Sequence, residues 1–394
     1  MFTKKVFLAA ALSLICLPFG ALAENLRGAG KLIVAGGGVS SSSNEIWTLM
    51  LKERLSDRPI GIISTASPDP EERSARTANS INEQFGEGSA VAIPVGENND
   101  HARNPETVEL IRNSGGFYFT GGLQTRTIRA LLEEDGAKTP ALEAIWEVYR
   151  QGGVIGGSSA GAAIMSDPMI SGGGSSGALL RGATPHGLPN SERGIGYLAG
   201  LGFHPGVLYC QHHLERGRFG RLLAALVSDD LDYTVGVGVA EDTALLVDHA
   251  ANTGTVVGSK GVLYVDTKGL RRNDEGGFAG VRLHYLDRGD TIHFPSGRIR
   301  PAAGKSVVRS GSDSLEKEVE DAWARDAVWH LLQDLAQSGR TASVTARDEN
   351  FDIVFERTRQ TRVWRQRNEA EDARPTWTVS NIHVSVNPRQ TAGD

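Results

Sequence analysis

The fold class this sequence predicts is a doubly wound α/β domain, built on a mostly parallel sheet and followed by a C-terminal α+β appendage. Three observations predict it. From Lys31 to about Asp248, short apolar runs alternate with stretches that carry apolar residues at helical spacing. The apolar runs are rich in Val and Ile and end in glycine or small polar residues, as buried parallel strands do. After about residue 235 the texture changes to alternating strands joined by turns.

Taken in order, "KLIVAG" (31–36), "PIGIIST" (59–65), "AVAIPV" (90–95), "GFYFTG" (116–121) and "GGVIGG" (152–157) read as strands. The helices between them are "SNEIWTLMLKERL", "SARTANSINEQF", "PETVELIRNS" and "PALEAIWEVYRQ". Farther on, "YTVGVGVAEDTALLVD", "NTGTVVGSKGVLYVD" and "VRLHYLDRGDTIHF" read as antiparallel strands. "SLEKEVEDAWARDAVWHLLQDLA" (314–336) reads as one amphipathic helix, and "FDIVFERTR" and "TWTVSNIHVSV" as strands flanking an exposed charged loop at 365–375. The chain then divides into a leader (1–23), a main hydrolytic α/β domain (24–310) and an α+β extension (311–394).

The leader has the parts of an export signal. Lys4 and Lys5 precede the apolar run "VFLAAALSLICLPFG", and Ala21-Leu22-Ala23 offers a small-x-small cleavage site. Cleavage after Ala23 predicts a periplasmic or secreted protein with no membrane attachment. Cys16 lacks the small residues before it that a lipoprotein signal needs. Only Cys210 would remain, which excludes an intramolecular disulfide. The formal charge of −6 argues against nucleic acid as a partner. The 48 glycines form no repeat and suit a fold with many sharp turns.

Ligands of doubly wound sheets bind beyond the C-terminal ends of the strands, where the glycine clusters 36–38, 121–122 and 156–157 fall. The last leads into Gly157-Ser158-Ser159-Ala160-Gly161, the G-x-S-x-G pattern of a nucleophile elbow. Small flanks are required because a side chain two positions from the strained serine would strike backbone. In this register Ser159 is the tip and Ser158 the variable position. A serine needs a base, and His212 and His213, in "GVLYCQHHLERGRFGRLL", also follow an apolar strand. Zinc is disfavoured because adjacent histidines point apart and no H-x-x-x-H or C-x-x-C accompanies them. Arg216, Arg218 and Arg221 read either as a solvated helix face or as a cradle for a substrate carboxylate. The N–H groups of Gly122, Leu123 and Ala160 would form an oxyanion hole. "KLIVAGGGV" lacks the lysine and spacing of a phosphate loop and reads as a turn.

Together "LIVAGGG", "FTGGLQ", "GGSSAGAAIMSDPMI", "GVLYCQHHLERGRFGRL" and "GVGVAEDTALLV" resemble the cyanophycinase family of serine peptidases, which includes peptidase E. The resemblance spans roughly residues 30 to 295. It implies a flavodoxin-like or class I glutamine-amidotransferase-like fold, no cofactor and no metal. It also implies hydrolysis of aspartate peptides such as the β-Asp-Arg units of cyanophycin. By position, Ser159 matches the nucleophile and His212 the base, while Gln124, Gln211 and Arg218 fall where family members line the substrate site. The implied partner is a peptide or cyanophycin-like substrate; the sequence leaves the oligomeric state open, a homodimer included.

Three departures stand out. The family's "GGDQ" is Gly121-Gly122-Leu123-Gln124 here, and its "DQHF" is Cys210-Gln211-His212-His213. The acid that orients the histidine usually lies in a stretch like "GGSGDES", which here is "SGGGSSGALLRG" (171–182) with no carboxylate. Between Ser159 and His212 the acids are Asp167, in a part of the motif not used as the triad acid, and Glu192, which becomes the candidate. Two other readings stay open: a dipeptidase E-like enzyme for small aspartyl peptides, and a peptide-binding pseudoenzyme on the same scaffold.

Overall fold

The structure is a computed structural model and describes residues 26–40, 43–185, 194–294, 296–308, 314–339, 341–366 and 375–389. The leader 1–23, Glu192 and most of the 365–375 stretch lie outside the described residues. Among the described residues no helix is long and apolar enough to cross a membrane.

All five predicted parallel strands form. They are β1 (Leu32–Ala35), β2 (Ile60–Ile63), β3 (Ala90–Ile93), β4 (Gly116–Phe119) and β5 (Val154–Ser158). They lie in the order β1-β5-β4-β2-β3 in one half of a nine-stranded sheet. The other half joins β1 antiparallel through Thr243–Asp248 and continues with Thr253–Gly258, Thr291–His293 and Arg298–Arg300. The four predicted helices form as α1 (Asn44–Lys52), α2 (Pro70–Phe85), α3 (Pro105–Arg112) and α5 (Pro140–Arg150). Prolines open α2, α3 and α5, where a missing N–H costs nothing. The side chains of Asn104 and Thr139 accept the first free amides of α3 and α5. One further helix, α4 (Gln124–Leu131), follows directly on the glycine pair after β4.

A ten-stranded, largely antiparallel sheet stands beside this one. Eight strands run in the order 315–319, 342–347, 351–366, 377–388, 278–287, 261–266, 235–239 and 208–210, and two short ones, Arg271–Arg272 and Lys305–Val307, pair with 278–287 and 351–366 off this path. The strands after residue 314 therefore extend a sheet that Leu208–Cys210 and Val235–Val239 begin. Trp377 stacks on Tyr285 at 4.2 Å across the join.

The long helix expected at 314–336 is half strand. Leu315–Val319 pairs parallel with Ala342–Arg347, and the helix begins only at Ala327. "LEKEV" places Leu315 and Val319 on one side and Glu316 and Glu318 on the other, so it fits a period of two as well as a helical one. A neighbouring strand with open hydrogen-bonding groups decides between them. The remaining helix, Ala327–Gln337, buries Val328, Leu331, Leu332 and Leu335, one turn-spaced stripe.

One buried ion pair fastens the two sheets. Lys305 Nζ lies 2.7 Å from Asp290 Oδ1, and both side chains are wholly buried. The same ammonium donates to Thr378 Oγ1 at 3.0 Å, and Asp290 also accepts the amides of Asp287 and Ala302 at 2.8 Å. Removing one partner strands the other charge in the interior, which typically costs about 3–5 kcal/mol. Lys305→Met should therefore lower unfolding stability by roughly that amount in urea melts. A change below about 0.5 kcal/mol would mean the pair is not structural.

Candidate active site

β5 lies between β1 and β4, so whatever follows β5 is flanked by the residues that follow its two neighbours. Ser159 is that residue. Its backbone has φ 56° and ψ −110°, a conformation that costs a non-glycine residue energy and pushes its side chain out of the turn. The small flanks follow from contact. A Cβ on Gly157 would lie 2.3 Å from the Gly161 carbonyl oxygen, and one on Gly161 would lie 2.2 Å from that of Phe119. Ser158, the last residue of β5, is buried.

The base arrives from the second sheet. Leu208–Cys210 and Val235–Val239 run parallel, with Cys210 opposite Gly238. Two residues beyond each strand end stand His212 and Glu241. His212 Nε2 is 2.7 Å from Ser159 Oγ, and His212 Nδ1 is 2.6 Å from Glu241 Oε1. With the Nδ1 proton donated to the carboxylate, Nε2 is left free to accept the serine proton. The Glu241 carboxylate thus occupies the place expected for Glu192. Asp167 has a different task, since its Oδ1 accepts the Gly200 amide at 3.0 Å.

Burial pushes the His212 pKa down and the hydrogen bond to Glu241 pushes it up, with Arg216 and Arg218 adding to the downward side; the net direction is down from 6.5. His213 is no rival. Its ring is buried, both nitrogens lack a partner among the described residues, and burial holds its pKa at about 3. It behaves as an aromatic packing residue, set edge-on to Phe219.

The glycine run after β1, expected only to turn the chain, supports the histidine. The His212 amide donates to the Gly36 carbonyl at 2.7 Å. A Cβ on Gly37 would lie 2.1 Å from His212 Cε1, so the ring rests on bare backbone. The Gly37 carbonyl also accepts the Asp242 amide at 2.8 Å, tying down the loop that carries Glu241.

The expected oxyanion donors need one correction. The Leu123 amide donates to the Ala66 carbonyl at 2.9 Å and is not free. The amides of Gly122 and Ala160 have no hydrogen-bond partner among the described residues, and Gly121 lies against Ser159 Cβ. Those two N–H groups remain as donors beside the serine.

Two clefts meet at Ser159. One, of about 390 Å³, is bounded by Gln124, Gln211, Arg216, Arg218, Arg221 and the Gly172–Gly174 backbone. The other, of about 450 Å³, is bounded by Trp47, Arg73, Arg76, Tyr118 and Thr120, and also reaches His212. Gln124 is held in place by donating to the Ile170 and Ser171 carbonyls, at 3.0 and 2.9 Å. Gln211 accepts from Arg221 at 3.1 Å, and Arg218 donates to the Gln211 carbonyl at 2.9 Å. Arg221 is buried, and its Nε meets the Cys210 sulfur at 3.2 Å, where the family has an aspartate. Among the described residues none of the three arginines forms an ion pair. Burial and then Arg221 push the Arg218 guanidinium down to about 9. A cluster of cations short of counter-ions favours an anionic ligand.

This geometry predicts two mutational outcomes. Glu241→Gln should slow any reaction at Ser159 by between about 10² and 10⁴-fold, as for a neutralised triad acid, with the fold intact by circular dichroism. His213→Phe should keep full activity, because it replaces one buried ring by another. If the two variants behaved alike in a turnover assay, the pairing of His212 with Glu241 would carry no catalytic weight.

Sequence comparison finds a cyanophycinase of Synechococcus elongatus that is 31% identical over 252 residues, which is 62% of this chain and 72% of that one. A cyanophycinase of a Nostoc species is 29% identical over 252 residues, 62% of this chain and 78% of its own. Among solved structures, a peptidase from an acI-B1 Actinobacterium aligns with 68% of this chain and 98% of its own, at 21% identity and a TM-score of 0.49. No protein-family model matches the chain.

Proposed function

The chain belongs to the cyanophycinase family and is a peptidase, and on that premise we propose that it cleaves peptides at acidic residues with Ser159 as nucleophile. His212 takes the Ser159 proton as Oγ bonds to the scissile carbonyl carbon, and returns it to the leaving amine. Glu241 holds the imidazole in the required tautomer and stabilises its charged form. The amides of Gly122 and Ala160 face the oxygen that gains charge. Water, activated by the same imidazole, then releases the acyl product. The observation that carries this reading is the unbroken line Ser159–His212–Glu241, with bonds of 2.7 and 2.6 Å. It supports catalysis over peptide binding alone.

The arginine-lined cleft supports the substrate class. Neither cleft is lined by a carboxylate among the described residues, so an isolated guanidinium would find no counter-ion there. A β-Asp-Arg unit satisfies the site through its carboxylates, placed against Arg216, Arg218 and Arg221. Because clefts open on both sides of Ser159, the substrate extends past the scissile bond in both directions, which favours an oligomer over a dipeptide. The apolar leader with its Ala21-Leu22-Ala23 site supports action outside the cytoplasm, and sequencing of the mature N-terminus tests this by finding Glu24 first.

A panel of β-Asp-Arg oligomer, α-aspartyl dipeptides and uncharged peptides tests the substrate reading. The oligomer should give the highest kcat/KM, by at least about tenfold, and Arg218→Ala should erase that advantage by raising KM. Equal rates on uncharged peptides would contradict it. Ser159→Ala should abolish turnover, whereas Ser158→Ala should retain most of it. The rate should rise as His212 loses its proton, with a midpoint below pH 6.5, the direction in which burial moves that group.

A further inference from the structure

Glu241 would hold His212 poorly if the loop that carries it were loose, and that loop is anchored from an unexpected quarter. The Glu241 amide donates to Glu215 Oε2 at 3.0 Å. Glu215 is almost fully buried, and its other oxygen accepts from Lys260 Nζ at 2.7 Å. Lys260 in turn donates to both carboxylate oxygens of Asp326, at 3.0 and 3.2 Å. Asp326 lies beyond the region that carries the family resemblance. It is fixed by its own amide, which donates to the Leu214 carbonyl at 2.9 Å, next to Glu215. The adjoining Trp323 closes on the same loop, since a Cβ on Gly217 would lie 1.9 Å from the Trp323 carbonyl oxygen.

We propose that Asp326 and Lys260 are positioning residues for the peptidase reaction, and that the segment 322–326 of the C-terminal region completes the active site. This rests on the reading of Ser159, His212 and Glu241 given above. A buried carboxylate such as Glu215 needs a paired cation and hydrogen bonds to offset its lost hydration. Lys260 supplies the charge, and Asp326 fixes the flexible ammonium in one place. Glu215, so fixed, holds the Glu241 backbone through its Oε2, and so the carboxylate that orients the imidazole. None of these three residues touches the space in which a substrate bond would lie.

The test uses the full chain and a fluorophosphonate probe, whose rate of reaction with Ser159 depends on His212 and Glu241 but needs no identified substrate. The variants are Asp326→Asn, Lys260→Met and Lys260→Arg, with Glu241→Gln as reference. The groups bearing on His212 are Glu241, Arg216 and Arg218, all unchanged in the three test variants. Asp326→Asn and Lys260→Met should each slow labelling at least tenfold, and both should move the acid limb of the labelling profile to lower pH. Lys260→Arg should restore most of the rate.

Lys260→Met separates positioning from bare charge. Removing a cation should raise the His212 pKa if charge alone acts, but lower it if the Glu241 contact loosens. Rates are taken per titratable active site, so that misfolded protein drops out of the comparison. Wild-type labelling in Asp326→Asn and Lys260→Met, with Glu241→Gln slow, would overturn the inference and leave the proposed mechanism standing. Wild-type labelling in Glu241→Gln as well would overturn the mechanism itself.

Discussion

His212 stands between two hydrogen bonds, and the rest of the site exists to keep both of them. The bond to Ser159 joins residues that follow strands of different sheets, so it forms only if the sheet edges meet at a fixed distance. Several features fix that distance. Gly37 lets the ring lie against backbone, the Gly36 carbonyl accepts the His212 amide, and the Gly37 carbonyl accepts the Asp242 amide. Far from the site, the buried Lys305–Asp290 pair fastens the sheets to each other, and the Tyr285–Trp377 stack joins two neighbouring strands within the second sheet. Positive φ angles at both Ser159 and His212 show local backbone held in a costly conformation by its surroundings.

Much of this was legible in the residues. The five parallel strands were visible because each is a short apolar run that ends in glycine, a pattern set by burial on both faces. The elbow was visible because the constraint on its flanks is steric and therefore local. His212 could be told from His213 only through the family resemblance; the structure separates them by where the rings point. Glu241 follows His212 in the chain, outside the stretch between Ser159 and His212 where Asp167 and Glu192 lie. Yet the signal that marked the two histidines, polar residues just beyond an apolar strand, is equally present in "GVGVAED". Pairing of those two strands is a long-range fact, and nothing local announces it. The same holds for the Leu123 amide, whose partner Ala66 lies on another loop, and for Leu315–Val319, where strand pairing overrode a sequence compatible with a helix.

The arginines change the meaning of the Cys210 substitution. With an aspartate at that position, Arg221 would have a buried counter-ion. With cysteine it has a sulfur and the Gln211 carbonyl group of the side chain, and the cleft keeps one more uncompensated positive charge. Clefts lined by arginines, and by no carboxylate among the described residues, thus favour acidic groups and leave a guanidinium no acidic pocket.

The central claim is that Ser159, activated through His212, forms a covalent bond with the substrate's carbonyl carbon. Mass spectrometry of the fluorophosphonate-treated protein, with fragmentation across residues 153–167, tests it most directly. The account predicts a single adduct on Ser159 that is absent from a His212→Ala variant treated in the same way. An adduct on Ser158, or undiminished labelling without His212, would contradict it.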